Sequence, residues 1–173
     1  MLQSIQMRSK SRIILFSREV HSGKTTELLE LLEHKVGIGG ILCPNKNGRK
    51  HAMFLPERKT YPLESNGEKS SIKVGNYILD KTILKKISHY LAQLNPHDFR
   101  LIIVDEIGKL ELNNEGYEPG LSRLIQNFHK EQPSCSLILV VRDSLLLQVI
   151  EKYKLENYEV AGNIRDVSNF IFG

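Results

Sequence analysis

The chain has 173 residues, which suits one domain, since domains commonly contain roughly 100–200 residues. Hydrophobic residues make up 40% and charged residues 25% of the chain, a composition that excludes disordered, collagen-like and disulfide-rich proteins. The net charge is +4, and the first 60 residues carry 11 basic against 5 acidic residues, so this sum alone would suggest a nucleic-acid or membrane partner.

The first elements predicted along the chain are a strand and a helix joined by a short loop. Residues 12–16 form an aliphatic run bounded by polar residues, which is typical of a strand buried on both faces of a parallel sheet. Residues 24–33 carry leucines at helical spacing with glutamates between them. The order is therefore strand, loop and helix.

A β-rich insertion is predicted next, over about residues 39–79. The dipeptide Asn47-Gly48 is a strong signal for a hairpin, and Asn66-Gly67 extends the β-rich stretch. Asp80 can then cap a helix that runs to about residue 94, with a buried stripe that includes Ile83, Ile87 and Leu91.

The second half of the chain again alternates strands with helices. Strands are predicted at residues 101–104, 136–141 and 158–160, and helices at about 121–128 and 145–153. This alternation predicts an α/β fold with a mainly parallel sheet and one antiparallel insertion, within a single domain over residues 1–173.

The cysteines and the apolar segments give no sign of a secreted or membrane protein. Cys43 and Cys135 lie far apart and outside any metal or redox spacing, so we interpret both as buried apolar side chains. The longest aliphatic run, residues 137–141, is far shorter than a membrane span. We therefore expect a cytoplasmic protein without a membrane partner.

The loop between the first strand and helix carries a phosphate-binding pattern. Ser22, Gly23, Lys24, Thr25 and Thr26 fit the end of the G-x-x-x-x-G-K-S/T signature. Backbone N–H groups at the start of a helix cradle phosphates, and glycine allows close approach. We expect Lys24 to reach the β- and γ-phosphates, Thr25 to bind Mg²⁺ and Thr26 to contact the α-phosphate.

The start of this loop departs from the pattern, because Arg18 stands where the first glycine is expected and His21 and Ser22 follow in a stretch that is often rich in glycine. Two consequences are open. Arg18 and His21 either add cationic contacts to the phosphates or narrow the loop and weaken nucleotide binding.

A second strand ends in two adjacent carboxylates, Asp105 and Glu106. An Mg²⁺-dependent nucleotide hydrolase needs this arrangement opposite its phosphate loop. Asp105 would hold the metal through its water shell, and Glu106 would orient or deprotonate the attacking water. An acidic pair that only caps the next segment would not explain its coincidence with the phosphate loop.

The residues around this pair resemble a known family. Asp-Glu-Ile-Gly-Lys-Leu-Glu-Leu at 105–112 is similar to the signature of the THEP1-type nucleoside triphosphatases, and Val-Gly-Asn-Tyr at 74–77 and Gly-Asn-Ile-Arg-Asp at 162–166 extend the likeness. The resemblance implies a P-loop fold with a RecA/AAA-like core, a three-layer sandwich. It also implies Mg²⁺-dependent hydrolysis of nucleoside triphosphates (NTPs), ATP, GTP or others, to diphosphate and phosphate.

Carried over by position, the resemblance makes Glu106 and Lys24 the catalytic residues. His21, Ser22, Gly23, Lys24, Thr25, Thr26 and Arg165 become the nucleotide-binding residues, and Thr25 and Asp105 the metal ligands. The signature residue Lys109 would stabilise phosphate, pair with the acidic residues, or lie free on the surface. For Arg165, the alternative to nucleotide contact is an ion pair with Asp166 or Glu159.

Three other functions compete with hydrolysis. A nucleotide-dependent switch without turnover would follow from the altered loop, and a small-molecule kinase would use the insertion as an acceptor site. Nucleic-acid binding would use the basic residues of the hairpin region 48–59, but no set of stacking aromatic residues accompanies them, and we expect an ordinary solvated hairpin instead. The basic residues in question are Arg49, Lys50, His51, Arg58 and Lys59.

Overall fold

Ten strands are found in a computed structural model that describes residues 12–19, 21–67 and 70–173. They are β1 (Arg12–Arg18), β2 (Ile38–Leu42), β3 (Asn45–Lys46), β4 (Arg49–Leu55), β5 (Lys59–Pro62), β6 (Ser71–Val74), β7 (Tyr77–Asp80), β8 (Leu101–Ile107), β9 (Ser136–Arg142) and β10 (Tyr158–Ala161).

The same described ranges contain six α-helices. They are α1 (Lys24–Leu31), α2 (Lys81–Gln93), α3 (Lys109–Leu112), α4 (Gly120–Glu131), α5 (Leu146–Tyr153) and α6 (Ile164–Phe172), with short 3-10 turns at Pro96–Asp98 and Asp143–Leu145. In the part of the chain that the structure describes, no helix is long and apolar enough to cross a membrane.

The main sheet is mostly parallel, as the sequence predicts. Its order is β10-β1-β9-β8-β2-β4-β3, and β5 pairs with β4. The first five strands of this order are parallel, whereas β4 runs antiparallel to β2, β3 and β5. Strand β2 was expected at the start of the insertion, but all of its residues are buried and it pairs with β8. The parallel core therefore includes β2, and the antiparallel part begins at β3.

Helices cover both faces of this sheet, which gives the predicted three layers. Successive residues of β1 alternate between the two cores: Ile13 and Leu15 pack on one face, and Ile14 and Phe16 on the other. Helices α2, α4 and α5 bury their apolar residues on the first face, and α1 and α6 bury theirs on the second. A strand that is apolar at every position requires such a double cover.

Close packing between β2 and β8 depends on one glycine. Gly40 has a φ of +104°, and a Cβ atom there would lie 1.9 Å from the carbonyl oxygen of Ile103. No other residue type fits this backbone approach. The position fixes the spacing of β2 and β8 just before β8 reaches Asp105.

The insertion folds as its turn residues predict. Asn47 and Gly48 both have positive φ, 51° and 76°, and they connect β3 to β4 in a tight hairpin. A separate hairpin, β6–β7, ends at Asp80. The Asp80 carboxylate caps α2 by accepting hydrogen bonds from the backbone N–H groups of Thr82 and Ile83, which confirms the predicted cap.

Candidate functional site

The phosphate-binding loop lies between the end of β1 and the start of α1. Gly23 precedes α1 with a φ of 84°, a conformation that glycine adopts readily. The Lys24 ammonium folds back over the loop and donates to the carbonyls of Glu19 (2.7 Å) and Arg18 (3.1 Å) and to Ser22 Oγ (3.2 Å). Its burial, together with the nearby Arg18 charge, lowers the pKa of Lys24.

Arg18 turns away from the phosphate side of the loop. Its guanidinium donates to Glu27 Oε2 at 2.8 Å and to the Ser22 carbonyl at 2.6 Å, so it ties the start of the loop to α1. It does not line the cavity above the loop, whereas His21, with a φ of 58°, does. Of the two cationic contacts that the sequence suggested, only that of His21 faces this cavity.

Asp105 faces the loop from the end of β8. The side chain is 1% exposed, and one oxygen, Oδ2, accepts from Thr25 Oγ1 at 2.7 Å and from the Cys43 N–H at 2.9 Å. Burial, and then repulsion from Glu106, raise the pKa of Asp105 to about 6. The structure thus brings together Thr25 and Asp105, the two predicted metal ligands.

These two residues fit a magnesium site. Asp105 is a buried carboxylate, and among the described residues no basic side chain forms an ion pair with it, so a cation would neutralise its charge. Carboxylate and hydroxyl oxygens are suitable Mg²⁺ ligands. Within the described ranges, no three His, Cys, Asp or Glu side chains cluster as a protein-only cage, so phosphate and water oxygens would complete the coordination.

Glu106 contacts a residue of the insertion. It has a φ of 63°, and a register shift between β8 and β9 falls between Val104 and Ile107. Its Oε1 accepts from Lys50 Nζ at 2.5 Å. Burial opposes the charge on Lys50, but the attraction of Glu106 outweighs it and raises the pKa of Lys50.

Lys50 is a site residue that the sequence analysis had grouped with the basic hairpin. Its Nζ also lies 4.9 Å from the ring centroid of Tyr77, and its backbone N–H donates to Glu64. Arg58, from the same basic group, donates instead to the carbonyls of Leu32 and Glu33 near the end of α1. These two cations therefore have different structural partners.

The loop and the acidic pair face one cavity of about 230 Å³. His21, Ser22, Gly23, Lys24, Thr25, Thr26, Asp105 and Glu106 all line it, so the structure brings together every predicted site residue except Arg165.

Arg142 also lines this cavity and was not predicted from the sequence. It ends β9, which lies between β1 and β8. Because the carboxyl ends of parallel strands meet at one edge of a sheet, the end of the strand at 136–141 was a signal that could have revealed it.

Arg165 and Lys109 lie beside this cavity but not in it. Arg165 lines a neighbouring cavity with Arg18, Glu27 and Asn163, and among the described residues it makes no ion pair with Glu159 or Asp166. Lys109 is exposed and lines a second cavity, which shares Glu106 with the first. In the described ranges, neither Arg165 nor Lys109 forms an ion pair with an acidic residue, which was one alternative for each of them.

A buried carboxylate supports the segment after β8. Glu111 is 2% exposed, and it accepts from the N–H groups of Gly108 (2.8 Å) and Tyr117 (3.0 Å). Burial raises the pKa of Glu111 to about 7. These hydrogen bonds hold the loop between α3 and α4 against the wall that carries Glu106.

A parallel sheet with a phosphate loop after β1 and an acidic pair at the end of β8 defines the chain as a P-loop nucleotide-binding protein. A family model described as NTPase matches residues 13–171, and the chain belongs to this family. The crystal structure of THEP1 from the hyperthermophile Aquifex aeolicus has the same fold, with a TM-score of 0.70 and 17% sequence identity over 94% of this chain and 99% of that chain. Among curated proteins, none matches the chain significantly.

Proposed function

We propose that this chain binds nucleoside triphosphates with Mg²⁺ and hydrolyses them to the diphosphate and phosphate. The observation that carries the proposal is the hydrogen bond of 2.7 Å between Thr25 of the phosphate loop and Asp105 of β8. It joins the two halves of a metal-nucleotide site across one cavity. Family membership supports NTP turnover in general terms.

The loop residues bind the phosphates in this proposal. Lys24 exchanges its three loop acceptors for the β- and γ-phosphate oxygens, and the N–H groups around Gly23 point to the same phosphates. Thr25 and Asp105 hold Mg²⁺, which would draw charge from the phosphate oxygens when bound. Arg142, which shares the cavity, adds a second positive charge beside the γ-phosphate.

Glu106 is the general base of the proposed reaction. Its carboxylate lines the cavity and accepts a hydrogen bond from Lys50 Nζ at 2.5 Å. In this position it orients a water and takes its proton as the water oxygen attacks the γ-phosphorus. The ammonium of Lys50 remains close enough to stabilise negative charge that develops there.

The nucleoside part extends toward the loop after β10. Strand β10 is parallel to β1, so its carboxyl end lies at the same sheet edge as the phosphate loop. The neighbouring cavity of about 470 Å³ joins Glu27 of α1 to Asn163 and Arg165. Arg165, which was predicted to contact the nucleotide, therefore contacts its ribose or base in this proposal.

Phosphate release from ATP and GTP tests this function. We expect Mg²⁺-dependent release by the full chain and a loss of roughly 100-fold or more in kcat for Glu106→Gln, since a positioned general base contributes about 10²–10⁴-fold. The matched control is Glu115→Gln, an exposed acid nearby, which should keep its activity. No release from any NTP would refute hydrolysis.

A nucleotide switch without turnover is the second candidate. It is favoured by the Lys50–Glu106 ion pair, because a carboxylate oxygen already bonded to Lys50 Nζ is not free to orient a water. Calorimetry distinguishes the two functions: micromolar or tighter binding of Mg-ATP with no phosphate release would support the switch, and turnover would reject it.

A further inference from the structure

A second cavity of about 270 Å³ opens on the side of Glu106 that faces the insertion. It shares with the phosphate-loop cavity the residues His21, Lys50, Tyr77, Glu106 and Arg142. The two cavities therefore meet at the carboxylate that we assign as general base. A molecule in the second cavity would therefore lie beside Glu106 and next to the phosphate-loop cavity.

The inner wall of the second cavity is apolar. Leu63 and Leu79 come from the insertion, Leu84 from α2 and Leu110 from α3, and all four are buried side chains that also belong to the main core. Val74 and Tyr77 of the β6–β7 hairpin form its outer wall. Such walls bind the carbon skeleton of an organic molecule, with a few polar groups to orient it.

The lining of this cavity carries a net positive charge, since its three cations, Lys50, Lys109 and Arg142, outnumber its two carboxylates, Glu106 and Glu111. Lys109 and Arg142 both line it, and among the described residues neither forms an ion pair. Lys50 is different, since Glu106 already balances its charge. Two cations without partners beside an apolar wall favour an organic anion over a neutral or cationic ligand.

The volume of the cavity exceeds what hydrolysis needs. One water occupies about 30 Å³, whereas the space beside Glu106 measures about 270 Å³. Small-molecule sites commonly measure roughly 300–1,000 Å³, so a metabolite of modest size fits here.

We propose that the second cavity binds an organic anion with a hydroxyl group and that this hydroxyl accepts the γ-phosphoryl group of the nucleotide. The hydroxyl oxygen bonds to the γ-phosphorus, and the bond to the bridging oxygen breaks, so the nucleoside diphosphate leaves with its electron pair. The hydroxyl proton passes to Glu106 and then to solvent. The proposal rests on the nucleotide site described above, and hydrolysis is the same step with water as acceptor.

Radiolabel transfer tests the proposal with six probes. The full chain is incubated with γ-³²P-labelled ATP, Mg²⁺ and one probe: a ribonucleoside 5′-monophosphate (AMP, GMP, CMP or UMP), mevalonate or pantothenate. We expect label in an organic phosphate ester with at least one probe, and ADP formation at least tenfold above the probe-free rate. Label found with all six only in inorganic phosphate or in the phosphoanhydride of a nucleoside diphosphate, and in no phosphate ester, would overturn the proposal.

The same assay separates this proposal from the proposed hydrolysis. ADP and phosphate formed without a probe, and unaffected by every probe, would leave hydrolysis in place and remove the acceptor site. ADP formed only with a probe would leave the acceptor site and remove hydrolysis. ADP formed under no condition would remove both.

A cavity-filling pair of variants tests the location. Val74 lines the second cavity but not the first, so Val74→Trp should reduce transfer to the responding probe at least tenfold and leave probe-free hydrolysis within about twofold. Ile78→Trp is the matched control, since Ile78 lies on the same hairpin, is 39% exposed and lines neither cavity. Equal transfer by both variants would refute the assigned cavity.

Discussion

The two walls of the phosphate-loop cavity are built in different ways. The loop wall comes from one short segment, and its contacts, such as those of Lys24 and Arg18, join residues at most nine positions apart. The opposite wall joins Lys50 to Glu106, which are 56 positions apart. The loop wall is therefore encoded locally, whereas the other wall exists only once the insertion has paired with the sheet.

Removal of the loop lysine should have the largest effect. Lys24→Ala deletes the cation nearest the proposed phosphates, and loss of one such group costs roughly 10²–10³-fold in kcat. Phosphate release at saturating Mg-ATP measures it, with Lys35→Ala, an exposed lysine after α1, as the control. Near-normal turnover in Lys24→Ala would show that the loop wall does not bind the reacting phosphates.

The next largest effect should be a pH dependence of stability from Glu111, which supports the opposite wall. Its pKa is raised from an ordinary 4.5 to about 7 in the folded chain. The folded state thus binds more protons than the unfolded state between these values, and the free energy of unfolding falls as pH rises through this window, by roughly 3 kcal/mol for this group.

Urea unfolding at pH 5 and pH 8 measures that loss. Glu111→Gln cannot ionise, so its difference between the two pH values should be smaller than that of the wild type by the Glu111 contribution. The amide also loses one of two backbone hydrogen bonds, so only the pH difference is diagnostic. Identical differences in both proteins would contradict a raised pKa.

Removal of Lys50 from the opposite wall should have an intermediate effect on turnover. Lys50→Ala should lower kcat about tenfold, equivalent to about 1.4 kcal/mol, with KM within about threefold, because Glu106 loses its ion pair with Lys50. Lys46→Ala, which removes the exposed lysine that contacts Thr60, is the control. A rise in kcat would mean that the ion pair restrains Glu106, in support of the switch.

The smallest effect should follow from replacing Arg18 by the glycine that the phosphate-loop signature has at this position. Arg18→Gly removes an ion pair whose side chains are 23% and 32% exposed and a hydrogen bond to the Ser22 carbonyl, so the free energy of unfolding should fall by about 1 kcal/mol. Turnover should stay within about threefold, since Arg18 does not line the phosphate-loop cavity, where the reaction takes place. A tenfold loss of turnover would instead assign Arg18 a phosphate contact.

Residues with local signals were predicted well from the sequence. Three features depend only on neighbours in the chain: the loop at 22–26, the Asp80 cap and the Asn47-Gly48 turn. The structure has all three at the residues that the sequence predicts. Asp105 could be expected to face the loop because it ends a buried strand. The mainly parallel sheet followed from the alternation of strands and helices.

Lys50 and Arg142 were missed for a physical reason. Their roles depend on strand order and on a hairpin register, and these arise from pairings across the sheet that no short pattern encodes. Helix α6 was missed because its apolar stripe is brief, although Asn163 caps it through the Asp166 N–H. The roles given to the individual site residues stay predictions until the variants above are measured.

The Lys24 ammonium bonded to three loop oxygens has a consequence for how fast nucleotide arrives and leaves. Lys24 must leave these oxygens to reach the phosphates, but Arg18 keeps the loop tied to α1, so the loop loses little conformational freedom and the entropic cost of association is small. The association rate should then be close to that of a preformed site, and changes of the loop should act mainly on the residence time of the nucleotide.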